Sequence, residues 1–418
     1  MVNLGISLVI VLLNSAGVIA IKLLSFYVLV KESSMSNNMS SIIFTWHSDS
    51  GSIDNFAQGL SLAQASGASS LLVLACYENN FTIKQVNPLL SRCSLPVFGG
   101  IYPKLIYKNK LIVQGCIIIG FQQLVEISLL TQLSEFENDE ALEQAIEQSL
   151  LKQSLLGESD GVLMFYDALI DNAENFIDCL FECLDYPLSI IGGGAGNLAF
   201  TQEPCIFTNQ GLVFNAIQIV NLKSKMTTAA THGWQILQGP FLVSEAEKQT
   251  IKSLDYQPAF NVYKAAVEGA SEHRFNENDF FDIAKNFPLG IERLNSKLVV
   301  RDPILVHEGN VQCVGNIPVN SMVYLLKGSI ESLISSAEQA AISVTKKIDA
   351  HDFSATMIFD CISRILYLED NFTRELDVIA KHCSEQQALF GVLSLGEIAN
   401  SESGAIRLLN KSTVIGSW

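Results

Sequence analysis

The sequence predicts an α/β protein, with mixed β-sheets flanked by helices and built from recurring helix-strand-helix-strand-hairpin units. Three observations predict it. Of the 418 residues, 49% are apolar and 17% are charged, which is globular rather than disordered composition. One order of elements recurs three times past Ser40. The short apolar runs that read as strands show little alternation, as expected for strands buried on both faces.

The first copy opens with a helical stretch at Asp54–Ser66, followed by the apolar run Leu71–Cys76, which reads as a buried strand. A helix near Thr82–Cys93 contains Pro88, so it is short or kinked. Leu95–Phe98 leads into Gly99-Gly100, and Leu105–Tyr107, a turn at Lys108–Lys110 and Leu111–Phe121 read as a hairpin. The second copy has the helix Ala141–Leu156, the strand Val162–Tyr166 and the helix Ala173–Leu184. Leu188–Ile191 then runs into the glycines of Gly192–Gly196, and a turn at Asn209–Gly211 leads to a strand over Leu212–Leu222. The third copy has Ser329–Ile348 and Glu369–Cys383 as helices and Ala355–Cys361 and Ala388–Leu395 as strands, with Ala405–Ile415 closing the chain. Between the second and third copies lies an insert, about Lys223–Val311, with Trp234, several strands, a helix near Ala259–Ala270 and a polar loop over Glu272–Asn278. Each copy alone has too little core, so the copies must pack together.

Residues 1–38 form an apolar extension, nearly continuous from Leu4 to Val30. It is long enough for a membrane anchor. It lacks a clear basic region and cleavage site for a signal peptide. A start codon placed too early is the third reading and the preferred one, because Met35 and Met39 open a polar stretch typical of a soluble N-terminus. Membrane association is expected only if the extension is real.

A formal net charge of −17 and a pI near 4.8 argue against partners with phosphate backbones, and no basic stripe with interleaved aromatics is present. The nine cysteines are scattered, without a CxxC pair, and read as buried reduced thiols, which places the chain in the cytoplasm. Cys179 and Cys183 share a helix face, but no nearby ligand completes a metal site. The Gly192–Gly196 run follows a strand, yet Asn197–Thr208 contains Pro204 and has no helical period, so it is not a dinucleotide loop. No hydrolase elbow, zinc-protease helix or Walker loop appears, and nothing identifies an enzyme.

Of the six histidines, His273 reads as exposed, His351 as a surface cap, and His382 as helical beside Cys383. His47 carries no signal. His232, in Thr-His-Gly-Trp with apolar residues beyond, is the one singled out as a ligand, and His307, after the apolar run Ile304–Val306, is its rival.

From about Phe44 onward the chain resembles the FIST family, with an N-terminal and a C-terminal FIST domain. The resemblance is carried by motifs in order: Gly233-Trp234 with Gly239-Pro240-Phe241 and Val243-Ser244, Leu254-Asp255-Tyr256 with Pro258-Ala259 and Tyr263, and Asn286–Gly290 with Val300-Arg301-Asp302. Phe359–Arg364, Gly391 with Gly396-Glu397-Ile398, and Asn410–Thr413 follow. Ser363 and Tyr256 replace glycines of the family pattern, and Ile236-Leu237 replace a proline pair. The resemblance implies domains at 39–222 and 223–418 and a non-catalytic sensor of a small ligand. This sequence shows no kinase, cyclase or DNA-binding element, so the signal is expected to pass to a partner, a histidine kinase or a cyclic-dinucleotide enzyme. The nitric-oxide-sensing haem proteins of the family imply haem as cofactor, with His232 as the iron ligand and Trp234 against the porphyrin. The alternative is a haem-free receptor for a metabolite such as an amino acid, with Arg301, Arg364 and Glu397 gripping a zwitterion, or a non-catalytic scaffold.

Overall fold

The computed structural model describes residues 6–8, 24–26 and 41–418, apart from 137, 152–160, 171–172, 185–187, 276–279, 294–297, 346–353 and 402–403. The chain through Met39 is one unit, of which the described part is a ribbon, Ile6–Leu8 paired antiparallel with Leu24–Phe26. Met35, Met39 and the rest of the apolar extension lie outside the described residues, as does His351. Among the described residues, no helix is long and apolar enough to cross a membrane. Ser40–Trp418 is the second unit.

Within it the three copies fold alike. The first has β1 (Ile42–Ser48), α1 (Ile53–Ala65), β2 (Ser70–Cys76), α2 (Ile83–Arg92), β3 (Val97–Tyr102), a hairpin of β4 (Lys104–Tyr107) and β5 (Lys110–Ile112), and β6 (Cys116–Phe121). The second has β7 (Glu126–Thr131), α3 (Asp139–Leu151), β8 (Gly161–Asp167), α4 (Ala173–Glu182), β9 (Ser189–Ala195), a hairpin of β10 (Ile206–Thr208) and β11 (Gly211–Val213), and β12 (Ala216–Asn221).

The third begins with β13 (Thr227–Thr231) and is at once interrupted by the insert. The insert holds β14 (Gln235–Glu247), β15 (Thr250–Leu254), α5 (Ala259–Ala270), α6 (Phe280–Ala284), β16 (Leu289–Ile291), β17 (Val299–Arg301), β18 (Pro303–His307), β19 (Asn310–Cys313) and β20 (Met322–Lys327). The third copy then resumes with α7 (Ile330–Thr345), β21 (Ala355–Cys361), α8 (Ile362–Leu368), α9 (Phe372–Ala380) and β22 (Ala388–Ser394). A hairpin of β23 (Glu397–Asn400) and β24 (Ile406–Leu409) and the closing β25 (Thr413–Ser417) complete it.

Each copy builds a six-stranded sheet, but lends its hairpin to a neighbour. The strand orders are β1-β6-β2-β3-β10-β11, β7-β12-β8-β9-β23-β24 and β13-β25-β21-β22-β4-β5. The first hairpin thus joins the third sheet, the second joins the first, and the third joins the second. At the centre of each sheet one pair is parallel: β2 with β3, β8 with β9, and β21 with β22.

This exchange explains one recurrent difference from the sequence reading. Periodicity runs the outer hairpin arm straight into the closing strand at 111–121, 212–222 and 405–415. The structure breaks each run in two, because the arm pairs in one sheet and the closing strand in another. A residue with left-handed backbone stands at each break, Gly115 at φ 144, Asn215 at φ 48 and Lys411 at φ 53. The insert also differs from its expected bounds. Thr227–Thr231 pairs with Thr413–Ser417 as the edge of the third sheet, and the insert's own sheet continues to Lys327. The helix read at Glu369–Cys383 is shorter and is preceded by a separate one, α8, divided from it at Glu369, whose φ is 48.

The inner faces of the three sheets share one core. Phe98, Phe165 and Phe359, one from each sheet, meet in sequence as tilted ring pairs with centroids 5.9 Å apart at both steps. On β8, Leu163 and Phe165 face this core while Val162, Met164 and Tyr166 pack with the residues of α3 and α4 on the other side. Both faces are therefore buried, which is why the strand shows no polar alternation. The glycines of β9 continue the strand rather than forming a loop. A Cβ on Gly193 would come within 2.5 Å of Phe359 and 2.8 Å of Ser394, so only glycine lets the second and third sheets approach this closely.

Candidate functional site

The carboxyl end of β21 delivers Asp360 and Cys361, and the chain turns there into α8, which carries Ser363 and Arg364. Arg364 is fully buried. Its Nε donates to Glu375 Oε1 at 2.9 Å and lies 3.2 Å from Asp360 Oδ1. Its Nη1 donates to the carbonyls of His232 (2.8 Å) and Lys411 (3.3 Å), and its Nη2 to the Leu333 carbonyl (3.0 Å) and to Glu375 Oε2. All five N–H groups of the guanidinium are thus matched to protein acceptors. Burial pulls the Arg364 pKa down, and Glu375 and Asp360 more than reverse it. Burial, reinforced by the negative Glu375, pushes the Asp360 carboxyl well above the usual carboxylate range, against the opposing pull of Arg364.

Glu397, at the start of β23, is fully buried. Ser394 Oγ donates to its Oε1 and Ser412 Oγ to its Oε2, both at 2.8 Å. Burial raises its pKa to about 8, against the lowering effect of these hydroxyls. Arg301, at the end of β17, is ion-paired with Glu174 of α4 and donates to the carbonyls of Asn316 (3.1 Å) and Leu408 (3.1 Å). Trp234 is buried against Tyr367, and its Nε1 donates to the Lys411 carbonyl at 3.3 Å.

The residues singled out from sequence therefore converge on one short segment. Arg301 holds Leu408, Arg364 and Trp234 hold the same Lys411 carbonyl, and Glu397 holds Ser412. Their polar atoms are engaged with the protein, and they position the chain between β24 and β25. Lys411 itself is buried, with Nζ 3.1 Å from Asp302 Oδ1 and 2.9 Å from the Lys285 carbonyl.

Beside this polar layer lies a cavity of about 390 Å³. Its walls come from loops at the carboxyl ends of four strands. Ala168 and Leu169 follow β8, Leu198 and Phe200 follow β9, Cys361 ends β21 with Ile362, Ser363 and Leu366 of α8 after it, and Leu395-Gly396 follow β22. The insert covers it with Phe281, Asp302, Ile304 and Val314, and Asn410 completes the lining. Ser363, which stands where the family pattern has glycine, donates to Asp302 Oδ2 at 2.6 Å. Sequence reasoning did not find this cavity. Its lining includes the loop residues Leu169, Leu198, Phe200 and Leu395, for which the available signal is weak: apolar residues in the polar stretch after the Gly192–Gly196 run.

A second cavity, about 430 Å³, is lined by His232 together with Thr231, Asn400, Arg407 and Asn410; Trp234 is not part of its lining. His232 is half-buried there. Its Nδ1 accepts the backbone N–H of Trp234 at 3.0 Å. That bond uses the Nδ1 lone pair, so the neutral ring carries its proton on Nε2 and has no lone pair to offer iron. Proximal histidines have the opposite arrangement, with the second nitrogen donating. His232 with Trp234 does not fit a haem site. His307 is 80% exposed at a turn and is no better placed. Among the described residues, no group of three or more His, Cys, Asp or Glu stands together as a metal site.

The geometry is that of an α/β protein with a mainly apolar cavity at strand carboxyl ends, partly covered by the insert. The model of the FIST N domain matches residues 71–257 and that of the FIST C domain matches residues 259–400, so the chain belongs to the FIST family. FIST domains are generally small-ligand sensory domains of signalling proteins and are not known as catalytic. No curated protein matches the chain.

Proposed function

We propose that this chain is a haem-free cytoplasmic receptor whose small ligand binds in the 390 Å³ cavity, and that occupancy is relayed to a separate signalling enzyme, with a histidine kinase the first candidate. The observation that carries the reading is the cavity's place in the fold. Loops at the carboxyl ends of two parallel strand pairs, β8/β9 and β21/β22, converge there, which is where open α/β sheets bind ligands. Its size and mainly apolar lining with a few polar groups match small-molecule sites. The insert forms one wall and the repeated sheets the others, so a ligand bridges two parts of the molecule and gains contacts from both. That is the differential interaction a sensor needs.

Two further observations support the reading. In the second unit, the described residues before and after the family matches, 41–70, 401 and 404–418, belong to the same three sheets and their helices. All nine cysteines are free, and burial pushes the Cys76 thiol up to about 12, which suits a reducing compartment. The test is autophosphorylation of a histidine kinase encoded beside this chain, measured with the full chain before and after saturation with a ligand that raises its melting temperature. A change in kinase rate between the two states is expected. Equal rates in both states would refute the relay.

A further inference from the structure

We infer that the cavity takes a neutral, largely apolar molecule bearing one hydrogen-bond donor, with that donor directed to Asn410, rather than a zwitterion. The inference rests on the reading of this cavity as the receptor site and names the ligand class it selects.

Charge decides the first half. A zwitterion brings a carboxylate and an ammonium, and each needs a partner when taken out of water. Among the described residues lining the cavity there is no arginine or lysine. Three buried cations outside the lining are each already paired: Arg301 with Glu174, Arg364 with Glu375 and Asp360, and Lys411 with Asp302. Asp302 is the one carboxylate among the described lining residues, and both its oxygens are engaged, Oδ1 by Lys411 and Oδ2 by Ser363. An incoming ammonium meets a carboxylate already neutralised.

The rim supplies the complementary preference. Leu198, Phe200, Phe281 and Leu366 all line the cavity and are among the large apolar side chains most open to solvent, at 45%, 57%, 37% and 36% exposure. Covering them with apolar ligand surface is favourable in proportion to the area removed from water.

Asn410 supplies the polar fix. It is 2% exposed, and its Oδ1 is buried with no hydrogen-bond partner among the described residues. Its Nδ2 donates at 3.0 Å to the carbonyl of Leu409, the residue next to it. An asparagine's terminal torsion is soft, so this lightly held amide turns readily to present its oxygen. A buried acceptor left unmatched is unfavourable, and a ligand donor removes that penalty.

The test uses the full chain with N-phenyl-1-naphthylamine, a neutral fluorescent probe with one N–H, and three competitors that share a ring. Indole has the donor and no charge, 1-methylindole lacks the donor, and tryptophan adds the zwitterion. Indole is expected to displace the probe, with 1-methylindole and tryptophan each about tenfold weaker or worse. Phe200→Asp is the control for the site. Phe200 is exposed with φ 51, a backbone conformation that aspartate tolerates better than phenylalanine, so the variant keeps its fold while placing a charge on the rim. Probe binding should be lost in it. If tryptophan competes as well as indole, the neutral-ligand inference is overturned while the site stands. If 1-methylindole matches indole, the role of Asn410 is overturned. If the probe fails to bind the wild type, or binds Phe200→Asp unchanged, the site itself is wrong and the inference falls with it.

Discussion

Replacing Glu397 with glutamine is expected to remove a pH dependence from the protein's stability. The glutamine keeps the shape and can still meet Ser394 and Ser412, but it cannot ionise. In the folded protein the Glu397 carboxyl has a pKa raised to about 8 from an ordinary 4.5, because burial disfavours its charged form. Between these values the folded state holds a proton that the unfolded state has lost. Stability from this group is therefore fully present below pH 4.5, falls as pH rises, and reaches its floor above about 8. The slope is about 1.4 kcal/mol per pH unit in that window, and the whole effect is on the order of 5 kcal/mol. Urea unfolding of wild type and Glu397→Gln from pH 5 to 9 isolates it, since other titrating groups cancel in the difference. The variant should gain on the wild type steadily from pH 5 to about 8 and then hold a constant lead. Parallel stability curves for the two proteins over the whole range would show that Glu397 ionises normally, and the account of the buried layer would fail.

Arg364→Met leaves Glu375 and Asp360 buried without their cation, and should cost about 3–5 kcal/mol in denaturant unfolding; a cost under about 1 kcal/mol would mean the network carries little. Hemin titration of wild type and His232→Ala should give the same absorbance spectrum, because His232 as placed offers iron no lone pair; a Soret band present in wild type and lost in the variant would restore the haem reading. Residues 40–418 expressed alone should melt at the temperature of the full chain, since the recurring sheets begin after that point; a lower melting temperature would show that the N-terminal stretch contributes to folding.

Much of the fold was legible because the repeat was. Three apolar strands of matching context, Leu71–Cys76, Val162–Tyr166 and Ala355–Cys361, each flanked by helices, announce three equivalent sheets. What the sequence could not disclose is the exchange of hairpins. Which neighbour a hairpin pairs with is set by tertiary packing, and the local signal at the break is a single residue such as Asn215 or Lys411. The site was legible only in part, for a similar reason. Arg301, Arg364 and Glu397 stand out as ionisable residues in apolar surroundings, and they are indeed buried. Whether such a group binds a ligand or holds the chain depends on partners distant in sequence, such as Glu174 for Arg301, 127 positions away. The cavity lining carries no ionisable signature apart from Asp302, so Phe200 and Leu366 pass unnoticed until the loops are seen together.

A nearly apolar cavity set against so much buried charge needs a physical account, and the charges supply it. Three cations, Arg301, Arg364 and Lys411, lie behind the cavity with five carboxylates, those of Glu174, Asp302, Asp360, Glu375 and Glu397. Fully ionised, the layer would carry an excess of two negative charges in a low-dielectric interior, which is strongly unfavourable. Burial raises the pKa values of two of these carboxyls, Asp360 and Glu397, which favours their neutral forms and works against that excess. The layer fixes residues 408–412 from several directions, and Asn410, in the middle of that segment, lines both cavities. On the proposed reading, a ligand that turned this amide would act on a strand connection held by the insert through Arg301 and Asp302, by α8 through Arg364 and by the second sheet through Glu397. That connection is the route the proposed receptor would use to carry occupancy of the cavity from the insert to the sheets.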